Sequence, residues 1–184
     1  FDTRIVNNNS IDPDQPDKSR THVVRVVGLG PDPDGVMSMH NLKDLDPTSP
    51  NYGQIIHARA KGSFIKTNSA EILVRFKYLF NTSVPGVELL IYLSDSPELL
   101  AHDDSRRDEH YLEVARLPAP PAPRPGSAGS GRFAVFEMKV WIGSLTFTEG
   151  IWVELELYEP EINMFASHSY KNNGSGNSSV AIDD

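Results

Sequence analysis

The sequence predicts an all-β chain: an antiparallel β-sandwich with jelly-roll character and one short helix. Three observations predict it. Short segments rich in β-branched and aromatic residues recur along the chain, most with period-two alternation. Clusters of Pro, Gly, Asn and Asp separate them. No strand alternates with a long helical pattern, which a doubly wound parallel sheet needs. The whole chain, 1–184, is assigned to one domain, because its strands are too few for two cores.

The elements follow in order. Residues 1–20 form an irregular lead-in, where Asn7, Asn8, Asn9 and Ser10 precede Asp12, Asp14 and Asp17 interleaved with Pro13 and Pro16. Proline removes ladder donors and Asx residues favour turns. Segment 21–27 is β-branched and stops at Gly28, a first strand. Segment 30–35 is all turn formers, and 36–40 alternates as a second strand. After a polar loop, 54–58 is the third. Segment 71–80 sets Leu73, Phe76 and other β-formers against Arg75 and Lys77, a half-buried strand. A turn at 81–86 leads into 87–93, which is nearly all apolar and therefore central.

A short helix is predicted at 96–101, with Ser96 as its cap and Pro97 at the first helical position. Segment 111–116 is another strand. Residues 117–131 are proline-rich, then Gly/Ser-rich, and read as a long loop inside the domain. Segments 132–141 and 151–158 both alternate. In the second, Ile151, Val153, Leu155 and Leu157 share one face, with Trp152, Glu154 and Glu156 on the other. Residues 171–179 are loop-like, and 180–182 are a last strand.

Composition narrows the function classes. Lys and Arg number 17 against 25 Asp and Glu, a formal net charge of −8. A nucleic-acid protein working by bulk electrostatics needs a basic face, so no nucleic-acid partner is expected. An anionic membrane surface is disfavoured for the same reason. No apolar run is long enough to span a bilayer as a helix, so no membrane insertion is expected. Cysteine is absent, which removes disulfides, thiolate nucleophiles and zinc-thiolate sites. The chain begins at Phe1 with no signal-like segment, and the expectation is a trimmed or processed product.

Several clusters carry candidate chemistry. Residues 102–110 bring His102, Asp103, Asp104, Asp108, Glu109 and His110 together in a metal-like pattern, but Arg106 and Arg107 neutralise it, and a solvated loop is the favoured reading. Asp32 and Asp34 alternate like hard-cation ligands, yet the loop lacks the closing Glu of an EF-hand. Gly28 and Gly30 lack the third glycine and the helix of a dinucleotide motif. Glu154 and Glu156 suggest a glycosidase pair, but both lie on the outer face of one strand, so a solubilising sheet face is favoured. No Ser-His-Asp triad is singled out.

Aromatic rings stack on the apolar faces of sugars, and alternation points Trp141, Trp152 and Tyr158 outward as ligand-binding candidates. Glycosylation sequons stand at Asn8, Asn81, Asn173 and Asn177, all in predicted loops.

The segments 90–100, 124–136 and 150–157 resemble modules of large exported proteins from Planctomycetes-type bacteria, over roughly residues 52–158 plus the terminal Ile182, Asp183 and Asp184. A looser likeness is to the galactose-binding-like jelly rolls, which include many carbohydrate-binding modules. It is carried by 60–67, 74–78, 152–155 and the Ile-Asp-Asp ending. The likeness implies a structural calcium held by Asp183, helped by an N-terminal acid such as Asp2. It also implies an extracellular or cell-surface setting.

The function expected from the sequence is a non-catalytic extracellular binding module for polysaccharide. The alternatives are a structural or assembly protein of the cell surface or matrix, and a jelly-roll hydrolase or lyase. The expected partners are polysaccharide or a neighbouring surface protein, with a homo-oligomer as a further possibility. Three observations discriminate them: a planar strip of exposed Trp and Tyr, an apolar edge strand, or converging carboxylates in a cleft.

Overall fold

The computed structural model describes residues 22–26, 36–43, 47–48, 50, 54–62, 64–67, 69–82, 86–98, 100, 104–120, 132–142, 150–160 and 178–183. The lead-in at 1–20, the turn at 30–35, most of the proline-rich loop, Asp2, Asn8, Asn173 and Asn177 lie outside the described residues.

The elements are β1 (His22–Val26), β2 (Val36–His40), β3 (Leu42–Lys43), β4 (Ile55–Ile56), β5 (Ala58–Lys61), β6 (Glu71–Asn81) and β7 (Glu88–Ser94). Helix α1 (Arg107–His110) follows, then β8 (Tyr111–Pro118), β9 (Ala134–Trp141), β10 (Trp152–Tyr158) and β11 (Ser179–Asp183). One sheet has the order β1-β2-β11-β6-β9, the other β5-β10-β7-β8, and β3 pairs β4. Every pairing is antiparallel.

The pairings nest. β7 pairs β8, β6 pairs β9, β5 pairs β10 and β2 pairs β11. The chain therefore pairs like one long hairpin rolled so that successive rungs alternate between the sheets. Each sheet turns one set of alternate side chains inward. Met39, Val74, Phe76, Val140, Val180 and Ile182 come from the five-stranded sheet, and Ala58, Ala60, Leu89, Ile91, Leu93, Leu155 and Leu157 from the four-stranded one. Together they form the sandwich core, stabilised by the area each removes from water.

Several expectations meet a different outcome. The third strand is split: 55–56 pairs with β3, and 58–61 moves to the other sheet. Asn81 is the last residue of β6, opposite Ser179, rather than the first of a turn. Leu73 stands on the outer face beside Arg75, because only even-numbered positions of β6 reach the core. β8 carries a bulge: Ile91 pairs Ala115 and Tyr92 pairs Glu113, leaving Val114 as the extra residue. The bulge resets the alternation, so Leu112, Ala115 and Leu117 all face core residues of β7.

Among the described residues of 96–101, which are 96–98 and 100, none is helical, and a short helix lies instead at Arg107–His110. Ser96 does bond its hydroxyl to the Glu98 amide at 3.1 Å, a capping geometry with no helix behind it. The Ser96-to-Leu100 bond that such a turn would make is taken at both ends: the Ser96 carbonyl accepts from Lys61, and the Leu100 amide donates to the Tyr111 hydroxyl at 3.1 Å. Gly150 explains how β10 begins. It adopts φ 143°, and a Cβ there would sit 2.6 Å from the Ile65 carbonyl oxygen and closer still to the Phe64 ring. That close approach forms the Ile65–Ile151 bridge.

Candidate functional site

The outer face of the four-stranded sheet is built from alternate residues of β5, β10 and β7. Their register sets Arg59 opposite Glu156, Lys61 opposite Glu154, and Glu154 opposite Tyr92. On an open sheet these charges would be hydrated. Here the β7–β8 connection lies over them, and Glu154, Glu156 and Glu159 are at most 1% exposed. The expected solubilising face is thus a buried ionic layer. A carboxylate can be buried only if it is paired and hydrogen-bonded.

Both are. Arg59 bonds Glu154 Oε1 through Nε at 3.1 Å and through a second, shorter contact from Nη2. Tyr111 donates its hydroxyl to Glu154 Oε2 at 2.8 Å. Glu156 Oε2 lies 3.5 Å from Arg107 Nη2 and 3.7 Å from Arg59 Nε, and its Oε1 lies 3.5 Å from His57 Nδ1. The other His57 nitrogen is 2.9 Å from the Glu159 carbonyl. Asn41 reaches the Glu159 carboxylate at 3.4 Å and accepts the Ala58 amide at 2.7 Å. The Arg107 guanidinium also lies 4.7 Å from the Tyr92 ring centroid and 4.4 Å from that of Tyr111.

This layer fastens the connection to the sheet. Lys61 donates to the carbonyls of Ser96 and Glu98, Arg59 to Leu100 at 2.6 Å, and Arg107 to Leu100 at 2.9 Å. In the cluster predicted at 102–110, His102 and Asp103 lie outside the described residues, and the rest splits in two. Arg106 stays exposed and brackets Asp104, holding that carboxyl down to about 2. Arg107 turns inward to Glu156, which corrects the view of both arginines as parts of a solvated loop. His110 pairs Asp95 at 2.7 Å. Among the described residues no group of three or more metal-ligating side chains converges.

The electrostatics follow from burial. Desolvation pulls the Lys61 ammonium below its ordinary value, and raises the Tyr92 and Tyr111 phenols. For His57, burial opposes the charged ring. The Glu156 contact, the Glu159 carbonyl and both carboxylate charges outweigh it, and the pKa rises above 6.5. Both oxygens of both carboxylates are thereby engaged by cations or a hydroxyl. A general acid or nucleophile needs an oxygen directed at a substrate instead.

The other sequence-derived candidates are dispersed. Trp152 packs on Phe64 with centroids 4.5 Å apart, and Lys61 Nζ lies 4.8 Å from its ring. Tyr158 is half-buried against His57, with centroids 5.0 Å apart. Trp141 ends β9 and is 60% exposed. It belongs to the other sheet, so the three rings form no common platform.

Asp183 is buried beside Lys77, its cross-strand partner in the register, with Nζ 3.1 Å from Oδ2. Its Oδ1 has no partner among the described residues. An ammonium already occupies the place where a cation would neutralise this carboxylate. Calcium there would need further oxygen ligands from outside the described residues.

A second surface went unnoticed in the sequence. β9 is the terminal strand of its sheet. Val135 (58%), Met138 (41%) and Trp141 on β9, with Leu73 (55%) on β6, are all exposed. Val135 and Trp141 lie on the outer face of the sheet with Leu73, whereas Met138 stands beside core residue Val74 and is exposed because β9 ends the sheet among the described strands. No protein-family model and no curated protein matches this chain.

Proposed function

We propose that this chain is a non-catalytic structural module that assembles through the β9 margin of its five-stranded sheet. One observation carries the reading: Val135, Met138, Trp141 and Leu73 expose apolar surface on and beside a sheet edge. The buried carboxylates support a module without catalysis, because Arg59, Arg107, His57 and Tyr111 already engage them. We read the nested strand order as a jelly roll, whose two sheets leave side edges available for contact. The setting we propose is the cell surface or matrix, in line with the exported modules that the sequence resembles.

The test is light scattering on the whole chain over a wide concentration range, beside Val135→Ser/Trp141→Ser. Association that the double variant abolishes supports the reading. Association unchanged by it contradicts the β9 margin as the assembly surface.

Polysaccharide binding is the second reading, and it rests on Trp141, whose exposed ring is able to stack on a sugar. Affinity electrophoresis against soluble glycans tests it. Retardation lost in Trp141→Ala supports it, and turnover of any glycan overturns both readings. Structural calcium at Asp183 is a separate proposal. It requires calcium to raise the melting temperature and EDTA to lower it.

A further inference from the structure

We propose that β9 pairs antiparallel with β9 of a second copy of this chain, about a two-fold axis at Met138, joining two five-stranded sheets into one of ten. The proposal rests on the assembly reading above and names its partner.

Both margins of the four-stranded sheet are guarded, and β1, the opposite margin of the five-stranded sheet, spans only five residues. β8 is bulged at Val114, ends in Pro118 and carries Glu113 and Arg116. β5 spans only four residues, and its Arg59 and Lys61 are committed to the buried layer. Such devices keep strand edges from pairing. β9 has no bulge and no proline, it is not short, and its only guards are the charges of Glu137 and Lys139. It runs eight residues in unbroken register with β6, has no proline or glycine, and among the described strands pairs with β6 alone.

Symmetry then restricts the register. Facing residues in an antiparallel pair both direct their backbone groups toward each other or both away, and their side chains share a face. In a two-fold pairing of one strand with itself, the numbers of facing residues must therefore sum to an even value. A centre at Glu137 sets Glu137 against Glu137. A centre at Lys139 sets Lys139 against Lys139. Both place like charges directly opposite, which destabilises a pair. A centre at Phe136 leaves Lys139 to Trp141 facing chain beyond the start of β9.

A centre at Met138 pairs Glu137 with Lys139 twice, Val135 with Trp141 twice and Phe136 with Val140 twice, and Met138 with itself. All charges meet opposite charges, and all apolar residues meet apolar residues. Val135, Met138 and Trp141, the exposed apolar residues of β9, are each covered. The present Arg75–Glu137 contact is no obstacle: at 3.4 Å between largely exposed side chains, it is a weak pair. Edge pairing of this length buries less than the roughly 1,200 Å² of a tight interface, so the dimer is weak and concentration-dependent.

The experiment is sedimentation velocity on the whole chain, with Glu137→Lys, Lys139→Glu and their equimolar mixture. All three positions probed at this centre, 137, 138 and 139, are exposed, and circular dichroism checks the fold of each variant. Each single charge variant sets like charges opposite twice, and its dimer dissociation constant is expected to rise roughly ten-fold or more. The mixture restores opposite charges in every pair and recovers association as a heterodimer. Met138→Cys, in a chain with no other cysteine, is expected to cross-link to itself with a short bismaleimide in proportion to dimer.

A wild-type dimer indifferent to both charge changes, with no cross-link at 138, overturns the β9 register and leaves assembly by another surface. A wild-type chain that stays monomeric at millimolar concentration overturns self-assembly itself.

Discussion

The outer face of the four-stranded sheet and the β9 margin of the five-stranded sheet invert the usual distribution of polarity. On the first, Glu154 and Glu156 are buried under the β7–β8 connection and matched by Arg59, Arg107 and His57. On the second, Val135, Met138, Trp141 and Leu73 stand in solvent. Both surfaces come from strands with clean alternation. The difference teaches that alternation decides which way a side chain points, whereas a distant segment decides whether that direction meets water. A buried charge layer needs its cover, and an exposed apolar margin invites one.

The comparison can be broken most forcefully at Arg59, which touches both carboxylates. Arg59→Met leaves buried negative charge short of its partner, and urea denaturation is expected to show a loss of about 3–5 kcal/mol. A loss below about 1 kcal/mol would mean that the layer is hydrated and the connection does not seal it. Asp183 offers a smaller version. Lys77→Met removes the ammonium from a buried carboxylate on a half-exposed partner, with an expected loss of about 1–3 kcal/mol by the same measurement.

The next effect sharpens the comparison through pH. His57 has a raised folded pKa, so its charged ring contributes stability that is fully present below the unfolded value of 6.5 and is lost as pH rises through the folded value. The stability difference between wild type and His57→Gln is expected to be on the order of 1 kcal/mol in mild acid, shrinking in alkali. A difference that grows with pH would contradict the assignment. The smallest effect belongs to the exposed margin. Leu73→Ser and Trp141→Ser are each expected to shift monomer stability by no more than about 0.5 kcal/mol, measured in dilute protein. A large loss would show that these side chains are already packed.

The sandwich was legible because strands announce themselves locally. Segments 71–80, 87–93 and 151–158 carry their β-formers and alternation within themselves, and they became β6, β7 and β10. The inward set Ile151, Val153, Leu155 and Leu157 was readable for the same reason. The ionic layer was not. Glu154 and Arg59 are 95 residues apart in sequence, and Glu156 and Arg107 are 49 apart. Nothing local to 102–110 tells Arg107, which turns inward, from Arg106, which does not. The turn expected at 96–101 is displaced for a related reason: the Ser96 cap is present, but Lys61 of β5 and Tyr111 of β8 take the Ser96 carbonyl and the Leu100 amide. Trp152 was rightly placed opposite the core side, yet Phe64 and Lys61 cover it through a contact that depends on Gly150.

Hydrogen exchange of the whole chain, followed amide by amide from micromolar to millimolar concentration, tests the central contrast most directly. β10 lies inside its sheet, between β5 and β7, and its protection is expected to be the same at every concentration. The amides of β9 that face away from β6 are expected to exchange fast in dilute protein and to slow as concentration rises, as the margin gains its cover. Protection in β9 that stays constant over the whole range would contradict the account.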